Sequence, residues 1–147
     1  MPPGTGDIQL TLAQNVPVTG ALVVTTPQDI ALIDARKGLV MFEKVNVPVL
    51  GVVENMSLHV CSQCGFHEPI FGTGGAQKLV EDYQTQLLAQ LPLHIDLRED
   101  LDEGEPTVIR RPDSEFTTLY RQLAGRVAAQ LYWQGEVIPG DIAFRAL

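Results

Sequence analysis

Basic residues are few in this 147-residue chain: ten Lys and Arg stand against eighteen Asp and Glu, a net charge of −8. A basic surface for nucleic acid or anionic lipid is therefore not expected. Charged residues of either sign make up only 19% and apolar residues 45%, which excludes wholesale disorder and suffices for one core. No apolar run approaches the ~18 residues of a membrane span. The opening residues, MPPGTGDIQL, lack a basic start followed by an apolar stretch, so no signal peptide is expected and a cytoplasmic setting is the default. Only two cysteines occur, Cys61 and Cys64, in a single CxxC, which excludes a disulfide scaffold but not a metal or redox site. None of the three lysines, Lys37, Lys44 and Lys78, follows a glycine, so the Walker A motif GxxxxGK[ST] is missing.

What is present alternates short apolar runs with helical periods. Residues 20–26 (GALVVTT) and 47–53 (VPVLGVV) read as strands apolar on both faces, as in a parallel sheet covered by helices on both sides. Residues 85–91 (TQLLAQL), stopped by Pro92, are a weaker third strand. Between the first two runs, Ile30, Ile33, Leu39, Val40 and Phe42 recur at helical spacing, which predicts a βαβ unit. Residues 8–14, capped by Asp7, and residues 76–83 read as short helices. The clearest helix is 114–132, with Phe116, Leu119, Tyr120, Leu123, Val127 and Leu131 on one stripe and Asp113 or Ser114 as its cap. Residues 96–105 hold six acids against Arg98 and read as a solvated loop. His94 reads as a satisfied surface or core histidine. The fold class expected is α/β, a doubly wound, mostly parallel sheet flanked by helices. Residues 1–132 form the domain and 133–147 a tail.

Cys61-Ser62-Gln63-Cys64 carries the sharpest chemistry. Two thiolates three positions apart can grip one metal ion or one edge of an iron–sulfur cluster. Three readings compete. Two chains can each give one CxxC to a [4Fe–4S] cluster, because four thiolates are needed and one chain has two. One chain can bind zinc through Cys61, Cys64, His59 and His67. The pair can also be a dithiol redox couple, although Gly65 and Pro69 announce no helix N-terminus to lower a thiol pKa. Two inert thiols are the bland alternative. The glycine-rich loop 71–75 (FGTGG) precedes a helix and can face an anion, but reads more simply as the chain's path into that helix.

Taken in order, these pieces resemble the Mrp/ApbC family of iron–sulfur cluster carriers, in the MinD-like branch of P-loop NTPases. Pro2-Pro3-Gly4-Thr5-Gly6-Asp7 looks like the family's switch II turn. Thr25-Thr26-Pro27-Gln28, with Asp34 and Lys37, looks like its next strand and helix. Gly51-Val52-Val53-Glu54-Asn55-Met56-Ser57 leads into the CxxC, and Phe71-Gly72-Thr73-Gly74-Gly75 and Leu91-Pro92-Leu93 follow. The likeness covers about residues 2–130. It implies that Cys61 and Cys64 ligate a [4Fe–4S] cluster shared across a homodimer and delivered to apo iron–sulfur proteins. It implies that Asn55 contacts an adenine base, that the backbone around Pro92 lines the base pocket, and that Gly4 lies near a γ-phosphate. The family binds and hydrolyses ATP with Mg²⁺. Its deviant Walker A loop has no counterpart in these residues, so the likeness is to an N-terminally truncated P-loop NTPase, and ATPase activity by this chain alone is left open.

Overall fold

The structure, a computed structural model, describes residue 11 and residues 15–134. Gly4, the helix expected over 8–14 and the tail after residue 134 lie outside the described residues. Strand β1 (Ala21–Thr25) leads into helix α1 (Asp29–Lys44), which returns to a long strand β2 (Val49–Val60). A two-residue strand β3 (His67–Glu68), helix α2 (Gly75–Asp82) and strand β4 (Leu87–Leu93) follow. Three helices close the order: α3 (Ile95–Asp102), α4 (Thr107–Arg110) and α5 (Glu115–Gln134).

β2 is the centre. It pairs in parallel with β1, Val23 opposite Val52, and in parallel with β4, Val53 opposite Ala89. Its far end pairs antiparallel with β3. His59 is opposite both Leu93 and Glu68, so β3 continues along the edge that β1 occupies lower down. Alternation then sorts the apolar residues. Val23 and Val52 face α1 and α2, packing with Leu32, Leu39 and Leu79. Val53, Leu88 and Leu91 face α5, against Leu119, Leu123 and Val127. The sheet is thus mostly parallel with helices on both faces, as the patterning predicts.

Four expectations change in detail. Among the described residues β1 is covered on one face only: Leu22 and Val24 are 37% and 58% exposed. The second strand runs seven residues past 53, as far as Val60, because the hairpin with β3 and the pairing to Leu93 extend its ladder. Pro92 does not stop β4, which runs on to Leu93; among the described residues β4 pairs only with β2, and an edge strand tolerates proline. The acidic stretch is not a loop but mostly helix α3, which turns Leu97 and Asp100 inward. The start of α5 follows expectation, since the Ser114 hydroxyl accepts the Thr117 N–H at 3.1 Å.

Candidate functional site

The cysteines occupy the turn that joins β2 to β3. The Cys61 N–H donates to the Phe66 carbonyl at 2.9 Å, and the Gly65 N–H donates to the Cys61 carbonyl at 2.8 Å. Gly65 has φ +69, a left-handed conformation that a side chain would oppose. The turn folds back on its first thiol. The backbone N–H groups of Gln63 and Cys64 point at the Cys61 sulfur, and with the Cys64 thiol they hold its pKa below the usual value. Burial and the Glu68 carboxylate oppose this without reversing it. Donors aimed at a sulfur favour the thiolate, the form that ligates metal. Both thiols are free, Cys61 half-buried and Cys64 exposed.

The two histidines do not join them. Directly opposed residues of an antiparallel pair point to the same side. His67 is opposite Val60 and shares its side, whereas His59 is opposite Glu68 and shares the other. Among the described residues no group of three or more His, Cys, Asp or Glu is placed to hold a metal ion. The four-ligand zinc set of Cys61, Cys64, His59 and His67 is therefore not assembled within one chain. His94, by contrast, is satisfied as expected. Its Nδ1 accepts the Asp96 N–H at 3.1 Å as the cap of α3, and its ring lies 4.9 Å from that of Phe116.

Beneath the cysteine turn lies a cavity of about 490 Å³. Val60 and His67, one from each arm of the hairpin, line its upper wall, and Phe116 and Leu119 of α5 another. Pro92 lines it, with Glu54, Ser57 and Gln90 as polar groups. Asn55 is not in the lining. It stands opposite Leu91, and its Oδ1 accepts the N–H of Met56 at 3.0 Å, supporting a backbone turned to φ 55 at that residue. The Ser57 hydroxyl donates to the Leu91 carbonyl at 3.2 Å, bridging β2 and β4 where their register slips.

Glu54 is the residue that sequence reasoning passed over. Its side chain is 1% exposed. One carboxylate oxygen accepts the Ala76 N–H at 3.1 Å and the other accepts the Gln90 amide at 2.8 Å. Helix α2 has Gly74 at its cap position and no side-chain cap of its own. Glu54 supplies it from β2, so the anion that the 71–75 loop can face is the chain's own carboxylate. The available signal was an acid closing an apolar strand run, LGVVE, ahead of a glycine-rich helix entry.

A family model described as "ParA: NUBPL iron-transfer P-loop NTPase" matches residues 1–128. The chain belongs to that family. The Salmonella typhimurium "Iron-sulfur cluster carrier protein" is 82% identical over 147 residues, the whole of this chain and 40% of that protein. The mouse "Iron-sulfur cluster transfer protein NUBPL" is 50% identical over 131 residues, 89% of this chain and 41% of that protein. The chain thus spans about two-fifths of the length of these relatives. Among solved structures, an Archaeoglobus fulgidus nucleotide-binding protein in complex with ADP aligns with TM-score 0.65 and 33% identity, covering 80% of this chain and 47% of that one. The Pyrococcus furiosus cell division ATPase MinD aligns with TM-score 0.63 at 24% identity over 87% of this chain and 49% of its own. The P-loop NTPase-like architecture of the family is the one described above. No helix among the described residues is long and apolar enough to cross a membrane.

Proposed function

We propose that this chain is the cluster-holding part of an iron–sulfur carrier. The observation that carries the reading is the cysteine turn, a CxxCG hairpin tip whose backbone N–H groups lower the Cys61 pKa beside a free, exposed Cys64. Relatives named as iron–sulfur cluster carrier and transfer proteins supply the cargo class. One chain offers two thiolates, and a four-iron cluster takes four. A second copy related by a two-fold axis completes the set, since a symmetric dimer presents the same turn twice. The cluster is cargo, received and passed on to apo iron–sulfur proteins in a reducing cytoplasm where the thiols stay free.

Nucleotide enters this reading through the longer relatives. ATP and Mg²⁺ bound by the whole P-loop domain would tune cluster loading through γ-phosphate contacts that order a loop. These residues would contribute Asn55 and the Pro92 backbone beside the base and Gly4 beside the phosphate.

Anaerobic reconstitution with iron and sulfide tests the reading. The expected product is brown, absorbs broadly near ~400 nm and holds about two irons per chain, four per dimer. Cys61→Ala and Cys64→Ala should each abolish it. Cluster retained undiminished by both variants would overturn the assignment.

A further inference from the structure

Glu54 and Ala76 are 22 residues apart in sequence and joined by a 3.1 Å hydrogen bond. The chain between them contains the end of β2, the cysteine turn, β3 and the glycine-rich loop. One foot of this excursion is β2, which carries Glu54; the other is the first turn of α2, which Glu54 caps. The cysteines sit at the far tip. The second carboxylate oxygen, held by Gln90 of β4, fixes the rotamer of the clamp from the neighbouring strand. Among the described residues no other side chain caps the α2 N-terminus, whose own cap position is Gly74. The carboxylate also lines the cavity under the turn. A buried charged acceptor on a helix N–H is among the stronger hydrogen bonds a protein makes, and it benefits from the helix dipole.

We propose that Glu54 is a positioning residue for the cysteine pair: it closes the 54–76 excursion at its base and so sets how far the turn at the tip can open to receive or release its cargo. The proposal rests on the carrier reading for its purpose, but the clamp itself is a property of the protein alone. Among the described residues, the hydrogen bonds of 61–73 stay within that segment and the β2–β3 ladder. The β2–β3 ladder is two residue pairs long, and Glu68 and Phe66 are exposed. Loss of the clamp therefore frees the excursion without removing any apolar contact of the two cores.

Hydrogen exchange measured by mass spectrometry on the full chain reads the clamp directly, and chelator capture of iron from reconstituted protein reads its consequence. In Glu54→Ala, exchange within 57–76 should accelerate about tenfold while peptides from β1 and α5 keep their protection. Iron release should accelerate by a similar factor. Glu54→Gln should restore slow exchange, because its amide oxygen still accepts from Ala76 and the exposed Gln90 can turn its own oxygen to meet the new N–H. Should Glu54→Ala not fold, Gln90→Ala, a change at an exposed position, should show a smaller acceleration confined to the same peptides. Unchanged exchange in 57–76, or acceleration spread equally over every peptide, overturns the proposal. If wild-type protein takes up no iron, the carrier reading falls while hydrogen exchange still decides the clamp.

Discussion

Asp100 and Thr107 are joined by a 2.7 Å hydrogen bond in which the hydroxyl donates to a fully buried carboxylate. This contact docks α3 on α4. Arg111 Nε approaches the same carboxylate at 3.1 Å and Arg110 Nε at 3.4 Å. Arg111 also pairs with Asp96, and Arg110 with Glu103. Burial pushes the Asp100 pKa up, but the Thr107 hydroxyl and the Arg111 guanidinium, helped by Arg110, outweigh it and hold it below the usual carboxylate value. A folded-state pKa below the unfolded one gives stability that is present above the unfolded value, ~3.9, and lost as pH falls through the folded value. Asp100→Asn should therefore lower the urea midpoint at pH 7, and the gap from wild type should narrow on going to pH 3. A gap of equal size at both pH values would show that the charge contributes nothing.

That network also marks where the sequence is hard to read. Six acids in ten residues look like a solvated loop when charge is counted, because counting does not see Arg110 and Arg111 returning from a later turn to neutralise Asp96, Asp100 and Glu103. Strand and helix were legible where one period dominated, as in α5, whose apolar stripe meets one face of the sheet; α1 lies where helical spacing places it, but it buries Leu32, Ala35 and Leu39 and leaves Ile30 and Ile33, two of the residues that carried the period, exposed. The end of β2 was not, since Asn55, Ser57 and His59 interrupt the apolar run and only the pairing to Leu93 and to β3 keeps that backbone extended. At the site, Cys61 and Cys64 announced themselves by spacing. Glu54 did not, because its role comes from Ala76 and Gln90, both far along the chain.

Gly75 tests the packing of the α2 entry on α1. A Cβ built there would lie 2.4 Å from the Leu32 Cδ1 and 2.9 Å from the Pro27 carbonyl oxygen. The leucine can turn away, but the carbonyl belongs to backbone entering α1. Gly75→Ala should cost about 1–3 kcal/mol, the range for forced overpacking. Chemical denaturation is the check, and a variant as stable as wild type would mean that α1 and α2 separate more easily than their shared core implies.

Ser114 offers a smaller, cleaner case. Its hydroxyl accepts the Thr117 N–H at 3.1 Å and lies 3.1 Å from the Thr117 hydroxyl, which in turn donates to the Arg111 carbonyl at 2.7 Å. Ser114→Ala should destabilise by about 1 kcal/mol through the lost cap, and Ser114→Asp should recover most of it because the carboxylate caps and meets the helix dipole. Thermal melts of the three proteins compared side by side decide this; an aspartate variant weaker than the alanine would contradict the cap.

The cysteine turn makes a prediction that needs no metal. Gln63 and Cys64 direct backbone N–H groups at the Cys61 sulfur, and the neighbouring Cys64 thiol adds to them, while burial and Glu68 oppose. Thiolate is the reacting form, so alkylation rate follows its fraction. Rapid labelling with iodoacetamide, with each cysteine resolved by mass spectrometry, should give Cys61 a pH midpoint below that of an unperturbed thiol. Glu68→Gln removes the one opposing charge and should move the midpoint lower still, whereas Gly65→Ala, which strains the left-handed residue closing the turn, should move it back up as the donors lose their aim. The opposite shift in Glu68→Gln would mean that the carboxylate orders the turn more than it repels the thiolate.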